Sequence, residues 1–103
     1  MLRTITEQGV VPEVFLDGEM DLDCAESLRA AIAAAARGAE IVMMDFGGVR
    51  FIDSSGTGVF VRICLDMRSQ GVRVHARNLS PAVADVFAML KVRDLVGDDA
   101  FAD

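Results

Sequence analysis

The chain has 103 residues, 52% of them hydrophobic and 25% charged, a composition that fits one folded domain over residues 1–103 and is far from that of a disordered chain. Ten Lys and Arg stand against 16 Asp and Glu, so a net charge of −6 repels phosphate backbones and anionic lipid. With no Trp or Tyr to stack on bases, the sequence points away from nucleic acid and toward protein partners.

Leu2 to Gln8 alternates in strand fashion, and a second apolar stretch runs from Val10 to Leu16. The two are expected to pair antiparallel at a sheet edge, with Pro12 near a strand start because it cannot donate to an interior ladder. From Asp23 the period changes: Ala25, Leu28, Ile32 and Ala35 or Ala36 line one face of a first helix. Asp23 and Glu26 have capping-box spacing, and Arg37-Gly38 supplies the stop. Ile41 to Met44 reads as a central strand covered on both faces by helices. A Gly47-Gly48 turn is expected next, then the apolar trio Val49, Phe51 and Ile52.

A second helix begins near Ser54, carries Val59, Ile63, Cys64 and Met67 on one side, and ends at Gly71. Val72, Val74 and Ala76 alternate with Arg73, His75 and Arg77, a strand with one polar face that makes His75 a surface residue rather than a base. Ser80-Pro81 opens a third helix through Val83, Val86, Phe87 and Leu90. The tail from Val92 to Asp103 carries Leu95, Val96 and Phe101 among four aspartates, and its conformation is left open. This order predicts an α/β fold with a mixed, mostly parallel sheet and helices packed against it.

No apolar run approaches the length of a membrane span, and the opening MLRTITEQG has no signal-peptide core, so a cytoplasmic location without direct membrane insertion is expected. Cys24 and Cys64 are far apart, without a Cys-x-x-Cys and with His75 as the one imidazole. They read as buried reduced thiols, and neither a metal nor a cofactor is expected.

In α/β sheets functional loops leave the carboxyl ends of strands, which directs attention to Asp17 through Asp21 and to Phe51 through Gly58. The run Asp53-Ser54-Ser55-Gly56-Thr57-Gly58 places an acid, three hydroxyls and two glycines at a strand-to-helix junction. One reading is structural: Ser54 or Ser55 caps the helix, and the glycines let it pack close to the sheet. The other is an interaction surface, because two glycines each cost about 1 kcal/mol in a helix interior unless something approaches closely. A phosphate on Ser54 would meet backbone N–H groups and the positive end of the helix dipole. The run lacks the lysine of a phosphate-binding loop, Lys91 being the one lysine in the chain, and it is not G-x-S-x-G. No catalytic residue is assigned, and an enzyme is not expected.

Gly18-Glu19-Met20-Asp21, the helix near Ala25 with Leu28, the block Phe51-Ile52-Asp53-Ser54-Ser55-Gly56-Thr57-Gly58 and Leu79-Ser80-Pro81 together resemble the bacterial anti-sigma factor antagonists, which are stand-alone STAS domains. The resemblance implies a single STAS domain with a mostly parallel four-stranded sheet flanked by helices. It also implies a partner that is both an anti-sigma factor and a serine kinase, with Ser54 as acceptor and Ser55 as the alternative, and a PP2C-type phosphatase that reverses the modification. By the same match Asp21 and Asp53 belong to the acidic surface around the acceptor, Ser55 lies beside it, and Gly56 and Gly58 form the tight helix start that a partner contacts. Asp21 reads equally well as a turn or cap residue. Thr57 stands where the family often has leucine and adds a third hydroxyl. STAS domains also serve as phosphorylation-independent adaptors in stress signalling and as accessory subunits in lipid transport, which is the alternative.

Overall fold

The computed structural model describes residues 1–101. Two strands, β1 (Arg3–Glu7) and β2 (Glu13–Met20), form an antiparallel pair, and β1 is the sheet edge. A 3-10 turn at Leu22–Cys24 leads into α1 (Ala25–Ala35). Then come β3 (Ile41–Ile52), α2 (Ser54–Ser69), β4 (Arg73–Arg77), α3 (Pro81–Met89) and the short α4 (Val92–Val96). Strand order is β1-β2-β3-β4, with β2, β3 and β4 parallel. The mixed, mostly parallel α/β sheet read from the alternation of elements is the architecture observed.

Period-two alternation decides which side of this sheet is covered. Val14, Leu16 and Met20 of β2, Val42, Met44 and Phe46 of β3, and Val74 and Ala76 of β4 are buried. They meet the apolar stripes of the helices: Leu28 and Ile32 from α1, Phe60 and Ile63 from α2, Val83 and Phe87 from α3. Phe46, Phe60 and Phe87 form the aromatic centre, with Phe60 and Phe87 stacked at 5.2 Å and Phe46 set edge-on to both.

The alternate residues Phe15, Ile41, Met43 and His75 are only half-buried and Ile5 is 71% exposed. The expectation that β3 is covered on both faces is therefore corrected: the helices pack on one face and the other is open. The apolar run Ile41–Met44 misled because a central strand's open-face residues are shielded by their cross-strand neighbours and tolerate apolar types.

Gly47-Gly48 is likewise no turn. β3 runs on to Ile52 and absorbs the irregularity as two register shifts against β2, between Phe15 and Asp17 and between Gly18 and Glu19. Asp45 Oδ1 accepts the Gly47 N–H at 2.8 Å, Asp45 Oδ2 accepts from Asn78 Nδ2 at 2.6 Å, and the bulged backbone brings Gly48 so close that a Cβ there would lie 2.6 Å from the Leu16 carbonyl oxygen. A glycine pair marks a bulge as readily as a turn, and the long pairing partner β2 selects the bulge.

Most of the helix ends follow the expected chemistry. Gly38 and Gly71 take left-handed conformations after α1 and α2, and Ser80 accepts the Val83 N–H to cap α3 at Pro81. The Asp23–Glu26 capping box does not form. Asp21 Oδ1 accepts the Asp23 N–H at 3.1 Å and caps the 3-10 turn, while Cys24 precedes α1 without a side-chain cap. The tail left open in sequence turns at Lys91 (φ 56°), forms α4 and a 3-10 turn at Asp98–Ala100, and pairs Phe101 with Ala76 beyond the β4 edge. Arg68 of α2 holds it through the Val96 carbonyl. The last part of that tail, residues 102–103, lies outside the described residues.

Candidate functional site

Parallel strands deliver their carboxyl ends to one side of the sheet, and there the end of β2 meets the start of α2. Asp21 follows β2 directly, whereas Asp17, Gly18, Glu19 and Met20, expected in the functional loop, are strand residues. Asp53 follows β3 and takes extended φ/ψ as the N-cap of α2, its Oδ1 accepting the Gly56 N–H at 2.7 Å. The capping role suggested for Ser54 or Ser55 thus belongs to the aspartate. Both serines occupy the first helical turn, are exposed, and keep their hydroxyls clear of the cap.

The two glycines differ in what surrounds them. At Gly56 a Cβ would lie 2.5 Å from the Met20 carbonyl carbon, closer still to its oxygen, and 3.1 Å from the Asp21 nitrogen. Gly56 is therefore buried at an internal contact that seats α2 on the end of β2 and holds Asp21 beside the helix start. At Gly58 nothing lies within 4 Å of such an atom, and the residue is exposed. Thr57 is 3% exposed, and its hydroxyl donates to the Asp53 carbonyl at 2.9 Å. The third hydroxyl expected at the surface is thus tied into the helix, and Gly56 and Thr57 face the protein's own interior while Ser54, Ser55 and Gly58 face solvent.

Sequence reasoning missed the apolar side of this site. Ser54, Thr57 and Gly58 form one end of a groove of about 340 Å³ that continues along Val61, Arg62 and Leu65 of α2 to Leu90, Val92 and Leu95. Leu65, Leu90 and Leu95 are exposed. The outward position of Leu65 is readable from the helical period, but Leu95 reaches the groove only because Lys91 reverses the chain into α4.

The cysteines are buried and unpaired, Cys24 in the turn that follows Asp21 and Cys64 farther along α2. Burial pushes the Cys24 thiol up and the Cys64 thiol up to about 12, which leaves both as neutral hydrophobes at ordinary pH. His75 lies half-buried on β4, its Nε2 enclosed without a partner among the described residues. Among the described residues no three His, Cys, Asp or Glu side chains converge as metal ligands, and no helix is long and apolar enough to cross a membrane. What the site offers chemically is a nucleophilic hydroxyl at a helix N-terminus, where unpaired N–H groups favour an added anion.

Comparison with known proteins places this geometry in context. A family model described as "Mlab, STAS domain" matches residues 4–97. The chain is 31% identical over 88 residues to the anti-sigma F factor antagonist of Lysinibacillus sphaericus, a match covering 84% of this chain and 74% of that protein. The fold is shared with the anti-sigma factor antagonist SpoIIAA in its unphosphorylated form, at a TM-score of 0.73 and 24% identity over 98% of this chain and 87% of that one. It is shared too with the Bacillus cell fate determinant SpoIIAA in the phosphorylated form, at a TM-score of 0.66 and 22% identity over 100% and 90% of the two chains.

Proposed function

The chain belongs to the STAS domain family, and from that membership we propose that it is an anti-sigma factor antagonist, a protein-binding switch and not an enzyme. In this reading the unmodified protein captures, in the cytoplasm, an anti-sigma factor that is also an ATP-dependent serine kinase, and the capture frees a sigma factor. The kinase transfers the γ-phosphoryl group of ATP to the Ser54 hydroxyl, which gives up its proton as the O–P bond forms and ADP leaves. A PP2C-type phosphatase restores the binding form.

The observation that carries the reading is the exposed Ser54 hydroxyl at the start of α2, spared from capping because Asp53 supplies that bond. Phosphate there adds ~1.5–2 negative charges beside Asp53 on a chain of net charge −6. The helix N-terminus offers that charge a local partner, so the fold persists while the surface changes. A partner shaped to receive a neutral hydroxyl meets bulk and like charge instead, and desolvating that charge without a cation is costly. Asp21, Ser55 and Gly58 complete the contact surface. Gly56 and Thr57 act on it indirectly, through the seating of α2.

The test is label transfer from ATP by the cognate kinase, combined with equilibrium titration. Ser54→Ala is expected to bind and take no label, Ser54→Asp to bind weakly, and Ser55→Ala to accept phosphate. Label retained by Ser54→Ala and lost by Ser55→Ala would move the acceptor to Ser55. A second reading, a phosphorylation-independent STAS adaptor in stress signalling or lipid transport, is favoured by the apolar groove beside Ser54, which suits stable docking. Tight association with a partner and no labelling of any variant would select it.

A further inference from the structure

The open face of the sheet has a charge pattern unlike that of the rest of the chain. Cross-strand pairing fixes its layout: Ile5 lies beside Phe15, Phe15 beside Asp45, and Asp45 beside Arg77, while Glu7, Glu13, Met43 and His75 form the next row. Arg73 stands beside Ile41 at one end, and Arg3 beside Asp17 at the other. The β4 margin is therefore basic, with Arg73 and Arg77. The β1–β2 margin is acidic, with Glu7, Glu13 and Asp17 outweighing Arg3. Between the margins lie Phe15, Met43 and Ile41, with Ile5 exposed on the edge strand.

Contacts made within this face come from the strands themselves. Arg3 pairs with Asp17 at 2.5 Å, Arg50 reaches Asp17 at 3.1 Å and Glu19 at 3.4 Å, and Arg77 Nε lies 3.5 Å from Glu13 Oε2. Arg3, Arg50, Arg73 and Arg77 stand against Glu7, Glu13, Asp17, Glu19 and Asp45, so the side chains of this face sum to about −1 although the chain carries −6. An acidic protein has here its one sheet surface with little net repulsion for another copy of itself.

We infer that this face binds a second copy of the chain, in a face-to-face dimer whose two-fold axis runs parallel to the strands. That axis exchanges the two margins, so the basic β4 edge of each protomer lies over the acidic β1–β2 edge of the other. An axis in the sheet plane but across the strands would set β4 over β4 and acid over acid, and is disfavoured. The sheets pack at ~10 Å with Phe15, Ile41 and Met43 between them. Strands spaced ~4.8 Å apart give a face on the order of 400 Å² per protomer, so the pair buries on the order of 800 Å² against the ~1,200–2,000 Å² of stable complexes. The dimer is thus weak and salt-sensitive. Both Ser54 sites lie at the same end of it and stay uncovered, so the inference holds whatever the fate of the functional reading.

The test is sedimentation equilibrium of the full chain at low salt, from ~10 μM to ~1 mM, the range in which so small an interface associates. Apparent mass is expected to rise toward twice the monomer and to fall back as salt is added. Ile5→Lys, at an exposed position that the two-fold sets over the basic β4 margin of the other protomer, should raise the dissociation constant about tenfold or more. Arg73→Glu and Glu7→Arg, also at exposed positions, should each be monomeric because both margins of each homodimer then repel. Their equimolar mixture should dimerise, since opposite charges face each other at both margins of the mixed pair. Thermal melts confirm that each variant is folded. A wild type monomeric throughout, a dimer unaffected by Ile5→Lys, or a mixture that stays monomeric would overturn the inference. So would a monomeric chain whose Ile5→Lys variant loses a different protein, which would then own the face.

Discussion

Gly56 and Gly58, two residues apart at the start of α2, should respond in opposite directions to the same added methyl group. At Gly56 the new carbon would sit 2.5 Å from the Met20 carbonyl carbon, whereas carbon atoms prefer about 3.5–4.0 Å. The helix start must therefore retreat by roughly 1 Å from the end of β2, since backbone on both sides leaves no flexible side chain to yield. Overpacking of this kind costs about 1–3 kcal/mol, and the retreat strains the 2.7 Å Asp53–Gly56 cap bond, a contact worth about 1 kcal/mol. The gain in helix propensity returns about 0.5–1 kcal/mol. Gly56→Ala should then lose about 1–3 kcal/mol, and at about 4–8 °C per kcal/mol its melting temperature falls by roughly 5–25 °C. At Gly58 no atom lies within 4 Å, so only the propensity gain remains and Gly58→Ala should melt roughly 3–6 °C higher. Thermal and urea unfolding of the two variants measure this pair. Equal shifts, or a Gly56→Ala variant that melts like the wild type, would refute the close approach as the reason for the first glycine.

Gly58→Val should leave a folded domain, because a branched residue is only mildly unfavourable in an open helical position, yet weaken binding of the proposed kinase partner by obstructing approach; titration against that partner checks it. Asp45→Ala leaves the Gly47 N–H and the Asn78 amide without their acceptors and should cost about 1–3 kcal/mol in urea unfolding, with Asp45→Asn recovering part. Cys64 should resist thiol reagents until the chain unfolds, which is read by labelling along a denaturant series. Its thiol is held at about 12 in the fold against 9.0 when free, so its contribution is complete below pH 9 and declines as pH rises from there toward 12. Linkage puts the loss at roughly 1 kcal/mol by pH 10, which Cys64→Ala should not show.

Much of this protein is legible from residue order because its elements announce themselves locally. Ser80-Pro81, Gly38 and Gly71 punctuate helices through backbone conformations that depend on a few neighbouring residues. The period of Leu28 and Ile32, or of Val74 and Ala76, needs only the geometry of one helix or strand. The Asp53-to-Gly58 run is likewise local, and so could be placed at a strand-to-helix junction and read as a site.

Tertiary structure alone decided the rest, because the deciding atoms come from distant segments. Asp53, not a serine, caps α2, and Gly56 is required by the Met20 carbonyl, 36 positions earlier in the chain. Whether Gly47-Gly48 turns or bulges depends on the length of β2, and whether β3 is covered once or twice depends on where every helix comes to rest. The groove from Ser54 to Leu95 exists because Lys91 reverses the chain and Arg68 holds the returning tail. Periodicity reports which side of an element is apolar. It carries no information about what that side meets, since burial belongs to the assembled chain and not to any window of it.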